Sequence, residues 1–406
     1  MLQKILKDNG EKEVPILITY LIPFTFNPIY MVNALRHLDR TLFPKMSKNI
    51  SEYLNNLLDK GLDPLTALQT TSENVKSDII SRLLANYVYV AKNVGSATML
   101  TVTFLEKALE SIRRTWENFR NYMNVVVEVE LALVMMAIIG VLLVIFSPQG
   151  ASYIVIIPLS VFFLAIASLT GYIVLSPGIG NPFDEFPENN SHVILYYSII
   201  LTMLSGLILL PGYALQILMT SIIIGFFLEY RTHNTIKTFN RFIDELSAIL
   251  NSIEIGYPGT PSINRLVGIY GLRGRIGKLL RALNKGVSIA GETGLRGSFS
   301  RIVNVLNSSY KSFSKYRITA GTYTLLITIA YIILVYTSHS ITGFYKNNSL
   351  FGKNMTMVNV NHLDQLTLIS AFLTPVAISL SYRPRTPPIF HAGLNALAVY
   401  IVTHFL

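Results

Sequence analysis

VILYYSIILTMLSGLILLPGYALQILMTSIIIGFFL, residues 193–228, runs for thirty-six positions without one formally charged side chain. As a single helix it would be about 54 Å long, too much for a hydrocarbon core of about 30 Å. Pro211-Gly212 stands at its middle, where a proline breaks the helical hydrogen-bond ladder, so two spans are expected. Upstream, Leu131–Phe146 is sixteen uninterrupted apolar residues, extended by Val125–Val129, and Pro148 and Gly150 separate it from Tyr153–Leu175. Between those runs and residue 193, SPGIGNPFDEFPENNSH (176–192) reads as an acidic, turn-rich loop. Downstream come Ile318–Thr337, a polar loop at 338–365, Leu366–Tyr382, a turn carrying Arg383 and Arg385, and Ile389–Leu406. That makes seven expected spans. An eighth apolar stretch, Val14–Val32, contains Pro15, Pro23 and Pro28 and is expected either to cross the membrane or to lie on its surface.

Composition agrees with this pattern. Of 406 residues 51% are apolar and 14% charged, against about 25% charged in soluble domains. Cysteine is absent, which excludes disulfides, thiol nucleophiles and Cys-ligated metal or iron–sulfur centres. The net charge of +10 is local: residues 231–317 carry fourteen Lys/Arg against four Asp/Glu, whereas 126–230 carry none against six. Residues 33–125 hold twelve against nine, and 318–406 four against one. Four spans between 33–125 and 231–317 put both on one side, and their Lys/Arg excess makes that side the cytoplasm. The same parity places Arg383 and Arg385 inside, the 338–365 loop outside, and the acidic 176–192 loop inside although it has no Lys or Arg.

Both soluble segments have helical periodicity and lack strand alternation. In the first, Ile50, Tyr53, Leu54, Leu57 and Leu58 form an apolar face that Gly61 stops and Pro64 restarts. In the second, Leu246, Ile249, Leu250 and Ile253 do the same before Gly256. An offset of 196 residues also pairs Phe43 with Phe239, Leu83-Leu84 with Leu279-Leu280, and Gly95 with Gly291. This is the signature of a duplicated unit, a helical cytoplasmic domain followed by membrane helices.

Leu57-Leu58-Asp59-Lys60-Gly61-Leu62-Asp63-Pro64-Leu65-Thr66-Ala67-Leu68, in a duplicated helical domain, resembles the type II secretion F domain. Domain, four spans, domain, three spans is most similar to its archaeal branch, the platform proteins of archaeal type IV pili and the archaellum. In the second copy Tyr-Pro-Gly-Thr-Pro (257–261) replaces the Leu-x-Pro-Leu turn. The resemblance implies an all-α, polytopic protein of the cell membrane with two homologous cytoplasmic helical bundles at 33–125 and 231–317. It implies as partners a hexameric cytoplasmic secretion ATPase and pilin-like subunits in the bilayer, and it is compatible with a homodimer.

The stretch GIYGLRGRIGKLLRALNKGVSIAGETGLRG (268–297) invites a phosphate-loop reading, but Leu272 stands where a Walker A glycine belongs and Leu279 where its Ser or Thr belongs. Two readings of its charge remain: a solvated face beside an anionic leaflet, or a docking face for an acidic partner. Under the resemblance the second becomes an ATPase-docking surface formed by Arg273, Arg275, Lys278, Arg281, Lys285 and Arg296. Nucleic acid is not expected, since no aromatic stacking platform accompanies the patch. Glu128 and Glu130 are read as an interfacial helix end rather than a proton site, and their spacing sends them to different faces. His391 and His404 are read as isolated, and Trp116, Phe119 and Tyr122 as an interfacial anchor. No catalytic, cofactor-binding or metal-ligating residues are expected. The competing reading is a secondary transporter built from two repeats.

Overall fold

Gly61 adopts φ +82°, a left-handed conformation that costs glycine little. There its N–H donates to Leu58 O at 2.9 Å and the Leu62 N–H to Leu57 O at 3.3 Å, the paired bonds of a Schellman stop. Asp63 then accepts from Thr66 N–H at 3.0 Å, with Pro64 at the first helical position, and a new helix starts. Gly256 repeats the stop at φ +108°, with Gly256 N–H on Ile253 O and Tyr257 N–H on Ser252 O, both at 3.1 Å. The punctuation legible in the sequence is thus made by the same two backbone bonds in both segments.

The computed structural model describes residues 13–93, 97–144, 155–175, 181–186, 190–291, 295–347 and 360–405. Its regular elements are all helical. They are α1 (Val14–Leu21), a 3-10 turn at Ile22–Phe24, α2 (Pro28–Arg36), a π turn at Ser47–Ser51, α3 (Glu52–Asp59), α4 (Pro64–Asn74), α5 (Asp78–Asn93) and α6 (Thr98–Val144). Then follow α7 (Ile156–Leu175), α8 (Pro182–Glu185), α9 (Asn190–Leu209), a 3-10 turn at Pro211–Tyr213 and α10 (Ala214–Ile255). The chain continues with α11 (Gly259–Tyr270), α12 (Arg275–Ala290), α13 (Leu295–Asn347), α14 (Val360–Ser379) and α15 (Ile389–Phe405).

Helix boundaries repeat with the sequence. α3 and α10 end 196 residues apart, as do α4 and α11, while α12 and α13 begin 197 residues after α5 and α6. Residues at the 196 offset share their burial: Phe43 and Phe239, Ile50 and Leu246, Ile80 and Ile276, Leu84 and Leu280 are each fully buried. Gly95 lies outside the described residues, and its counterpart Gly291, at φ +91°, closes α12.

Contacts divide the chain into two units. The first comprises residues 1–115, 177–187 and 237–311, and the second 116–176, 188–236 and 312–406. In the first unit the two soluble segments, read from sequence as separate bundles, share one apolar core that joins Phe43, Leu54 and Leu84 to Phe239, Leu280 and Leu283. Here α12 of the second copy packs on α1, which precedes the first copy. A Cβ on Gly286 would lie 2.6 Å from Tyr20 O, so only glycine permits this approach.

The stretch 14–32 is therefore not used as a span or a surface helix. It is cut by Pro23 and Pro28 into pieces too short to cross a bilayer, and every residue of α1 is buried in the first unit's core.

Five helical stretches, within α6, α7, α9, α10 and α13, are long and apolar enough to cross a membrane, and only 17–39% of their most apolar windows is buried. Phe162, Phe163, Ile194, Leu209 and Phe227 all face outward. Exposed apolar surface on this scale suits lipid, not water. The break at Pro211-Gly212 separates α9 from α10. The 338–365 segment expected as a loop is helical at both ends, because α13 continues to Asn347 and α14 begins at Val360. Its polar residues pair between those ends, His339 Nε2 lying 2.9 Å from Asp364 Oδ2, so polarity there marks helices with hydrogen-bonding partners rather than a turn.

Candidate functional site

The described part of the basic stretch 268–297 comprises the end of α11, the whole of α12 and the first residues of α13, all in the first unit. α12 buries Ile276, Leu279, Leu280, Leu283 and Val287 along one face, so its charges fall on the other. Arg273, Arg281 and Arg296 are exposed, and Arg275 and Lys278 are half-buried. Among the described residues no ion pair engages Arg273, Lys278, Arg281 or Arg296. These four keep their charge available to a partner.

Lys285 is used differently. Its Nζ lies 2.6 Å from Asp39 Oδ2, tying the second copy to the first. Asp39 also accepts from the Thr41 hydroxyl at 2.7 Å and the Thr41 N–H at 2.8 Å. The hydrogen bond from Lys285, followed by those from Thr41, holds the Asp39 carboxyl well below its ordinary range. Arg301 forms a second such tie, with Glu106. Of the turn residues expected from sequence, Gly61, Pro64, Gly256 and Gly291 all act at helix ends.

Glycines that suggested a phosphate cradle have another use. A Cβ on Gly277 would meet Leu272 O at 2.4 Å, and one on Gly274 would meet the Glu185 carboxyl carbon at 2.5 Å. The N–H groups that open α12 do bind an anion, and it is the chain's own. Ile276 N–H donates to Glu185 Oε1 at 2.8 Å and Gly277 N–H to Oε2 at 3.3 Å. Arg273 N–H reaches Glu185 O at 3.1 Å. Glu185 is fully buried, and that burial pushes its carboxyl up to about 7 against the opposing hydrogen bonds. The acidic 176–192 loop, anomalous when only charge was counted, thus places its described part, 181–186, in the same unit as the basic helices.

In the second unit several polar residues find partners that sequence spacing does not reveal. His391, read as isolated, has Nδ1 2.8 Å from Glu229 Oε2, and Glu229 Oε1 accepts from Phe390 N–H at 3.1 Å. Arg383 stands 3.9 Å from the same carboxylate. A Cβ on Gly225 would lie 2.3 Å from Phe390 N, which brings α10 this close to the start of α15. His404 stacks on Tyr400, with ring centroids 3.9 Å apart. Glu128 and Glu130 separate as their spacing requires, Glu128 exposed and Glu130 buried. Glu130 is not at a helix end, however. It lies mid-way along the apolar stretch 117–140 and accepts from the Ser160 hydroxyl at 3.0 Å.

Phe119 and Tyr122, read as an interfacial anchor, make contacts within the second unit. The Phe119 ring packs against Tyr316 at 5.1 Å, and the Tyr122 hydroxyl donates to Ala167 O at 3.0 Å. The Trp116 side chain lies outside the described residues. No family model, no curated protein and no solved structure matches this chain.

Proposed function

We propose that this chain is a multi-pass membrane platform for a type IV pilus-like or archaellum-like filament. A cytoplasmic secretion ATPase docks on Arg273, Lys278, Arg281 and Arg296, and pilin-like subunits enter the filament through the helical membrane core. The observation that carries the reading is the repeat: four helix boundaries recur at 196 or 197 residues, and each copy then runs on into an apolar helix. That is the arrangement the F-domain resemblance calls for. α14 and α15 join the five long helices as spans, making seven, with the first unit in the cytoplasm. Residues 181–186 belong to that unit, as four intervening spans require. The chain itself catalyses nothing under this reading. Its work is mechanical.

One observation favours a two-repeat transporter instead: buried Glu130, since ionisable groups within spans often mark a transport path. Substrate uptake by proteoliposomes holding this protein alone would establish that alternative.

The test uses full-length protein in nanodiscs as bait for the host's soluble fraction at low and high salt. A hexameric ATPase is expected at low salt, with at least tenfold less retained when Arg273, Arg281 and Arg296 are changed to Glu. Retention of the ATPase by that triple variant, or recovery of anionic lipid and no ATPase by the wild type, refutes the reading.

A further inference from the structure

Glu130 is buried within the second unit, and among the described residues no Lys, Arg or His forms an ion pair with it. A bare carboxylate in such surroundings is costly, so its charge must be answered by its neighbours. Those neighbours are hydroxyls from other helices of the same unit. Ser160, in α7, has Oγ 3.0 Å from Glu130 Oε1 and 2.8 Å from Ile157 O. The Tyr331 hydroxyl of α13 lies beside Ser160 and Glu130, and the Thr374 hydroxyl of α14 is 3.5 Å from it.

The Ser160 hydroxyl has one proton and two acceptors in reach. When it donates to Glu130 Oε1, it stabilises a carboxylate. When it donates to Ile157 O, its own oxygen is left to accept from a protonated Glu130. Both states are hydrogen-bonded, and one hydroxyl rotation separates them. A carboxyl that served packing alone would need only one.

α14, which packs on α7, leads a line of hydroxyls to this cluster. Thr367, Ser370 and Thr374 are fully buried and share one face by their spacing of three and four. Ser370 Oγ has no hydrogen-bond partner, and neither has Oδ1 of Asp364, three residues before Thr367. Successive turns stand about 5–6 Å apart, a step that one water bridges. The titratable group that faces Glu130 from α13 is Tyr331, while α7 and α14 present Ser160 and Thr374, which do not titrate. Glu128, on α6 itself, is exposed. At the far end of the line Asp364 faces His339 of α13 and His404 of α15.

We infer that Glu130 is a proton-binding site of the apolar helices, taking up and releasing one proton that travels along the hydroxyl face of α14 from the Asp364 end. Uptake turns the carboxylate into the carboxylic acid, and release returns the proton to water at that end, so nothing is oxidised or reduced. The site does not depend on the platform reading.

Infrared difference spectra of the full-length protein in phosphatidylcholine nanodiscs, taken between about pH 5 and about pH 9, test this. The wild type should show a protonated-carboxyl band at the acid end that disappears in Glu130→Gln and persists in Glu185→Gln. Ser160→Ala should shift that band without removing it, and decides the matter if Glu130→Gln fails to fold. After a pH jump, Thr367→Val combined with Ser370→Ala should slow its appearance at least fivefold and leave its final size within twofold of wild type. Replacing sodium by N-methylglucamine should change nothing. A wild-type spectrum without the band, or a band that neither disappears in Glu130→Gln nor shifts in Ser160→Ala, overturns the inference. A wild-type rate in the double variant overturns the route along α14, and a band suppressed by sodium overturns the proton as the ligand.

Discussion

Gly286 and Gly268 both sit inside helices of the second copy, and their change to alanine should have opposite signs. Alanine is favoured over glycine in a helix interior by about 1 kcal/mol. At Gly268 nothing lies within 4 Å of the added Cβ, so that gain should appear whole. At Gly286 the Cβ would stand 2.6 Å from Tyr20 O and 3.3 Å from Pro23 Cγ, and the first of these is backbone, which yields only if α1 moves. Forcing an extra methyl into such a contact costs about 1–3 kcal/mol, which leaves a net loss of about 1 kcal/mol after the propensity gain. Hydrogen exchange of full-length protein in nanodiscs reads local opening without assuming two-state unfolding of a two-unit chain. Amides of Val14–Leu21 should exchange several-fold faster in Gly286→Ala, since about 1.4 kcal/mol is a factor of ten. Those of α11 should exchange no faster in Gly268→Ala. Unchanged exchange at Val14–Leu21 in Gly286→Ala would refute the packing of α1 on α12 and return the stretch to the membrane.

Two further outcomes follow from the charges of the first unit. Glu185 has its folded value raised to about 7 from 4.5, so the native state holds the extra proton between those values and stability falls as pH rises through that window. The fall should be on the order of 3 kcal/mol; pH-dependent melts should show this slope in wild type and lose it in Glu185→Gln. Asp39 is shifted the other way, so its contribution is present above about pH 4 and fades as pH falls toward the depressed value. Because the Asp39–Lys285 pair is partly exposed, Asp39→Asn should cost only about 0.5–1 kcal/mol at pH 7, and that difference should shrink with acid in the same melts.

Much of the helical framework was legible because it depends on local chemistry. The stops at Gly61 and Gly256, the start at Pro64 and the break at Pro211-Gly212 each follow from what one or two residues permit the backbone. The apolar stretches in α6, α7, α9, α10 and α13 were legible from hydropathy alone. What hydropathy could not separate was an apolar helix that faces lipid from one that fills a core. Val14–Leu21 is as apolar as a span, and only the groove opened by Gly286 shows its use. Pairing across distance was equally hidden. Nothing near His391 announces Glu229, 162 positions earlier, and Glu130 looks like a helix end until α6 is seen to continue through it to Val144. For Lys285 a hint existed, since it follows the other basic residues along α12, yet Asp39 takes it out of the docking set.

The acidic loop shows how a charge anomaly becomes an argument once duplication is taken seriously. Counted alone, residues 176–192 have the composition of an external loop, four-span parity notwithstanding. Aligned against the first copy, the second has Gly259 in place of Asp63 and Gly274 in place of Asp78, so the acid is missing from two helix starts in a segment with excess positive charge, and Glu185 supplies the second of them. A carboxylate held there satisfies two otherwise unpaired N–H groups and lies on the basic side of the chain. The loop's negative charge is therefore complementary to the unit it joins, and complementarity at short range outweighs a statistical preference of loops for one side of a bilayer. The same logic separates the two copies by task. The first pairs the acid at its helix start with its own Arg82, whereas the second takes that acid from the 181–186 segment and keeps Arg273, Lys278, Arg281 and Arg296 out of ion pairs among the described residues. A duplicated scaffold that diverges in this way carries most of its excess charge on one copy, fourteen Lys/Arg against four Asp/Glu in 231–317 and twelve against nine in 33–125, and under the platform reading the more basic copy is where an acidic partner docks.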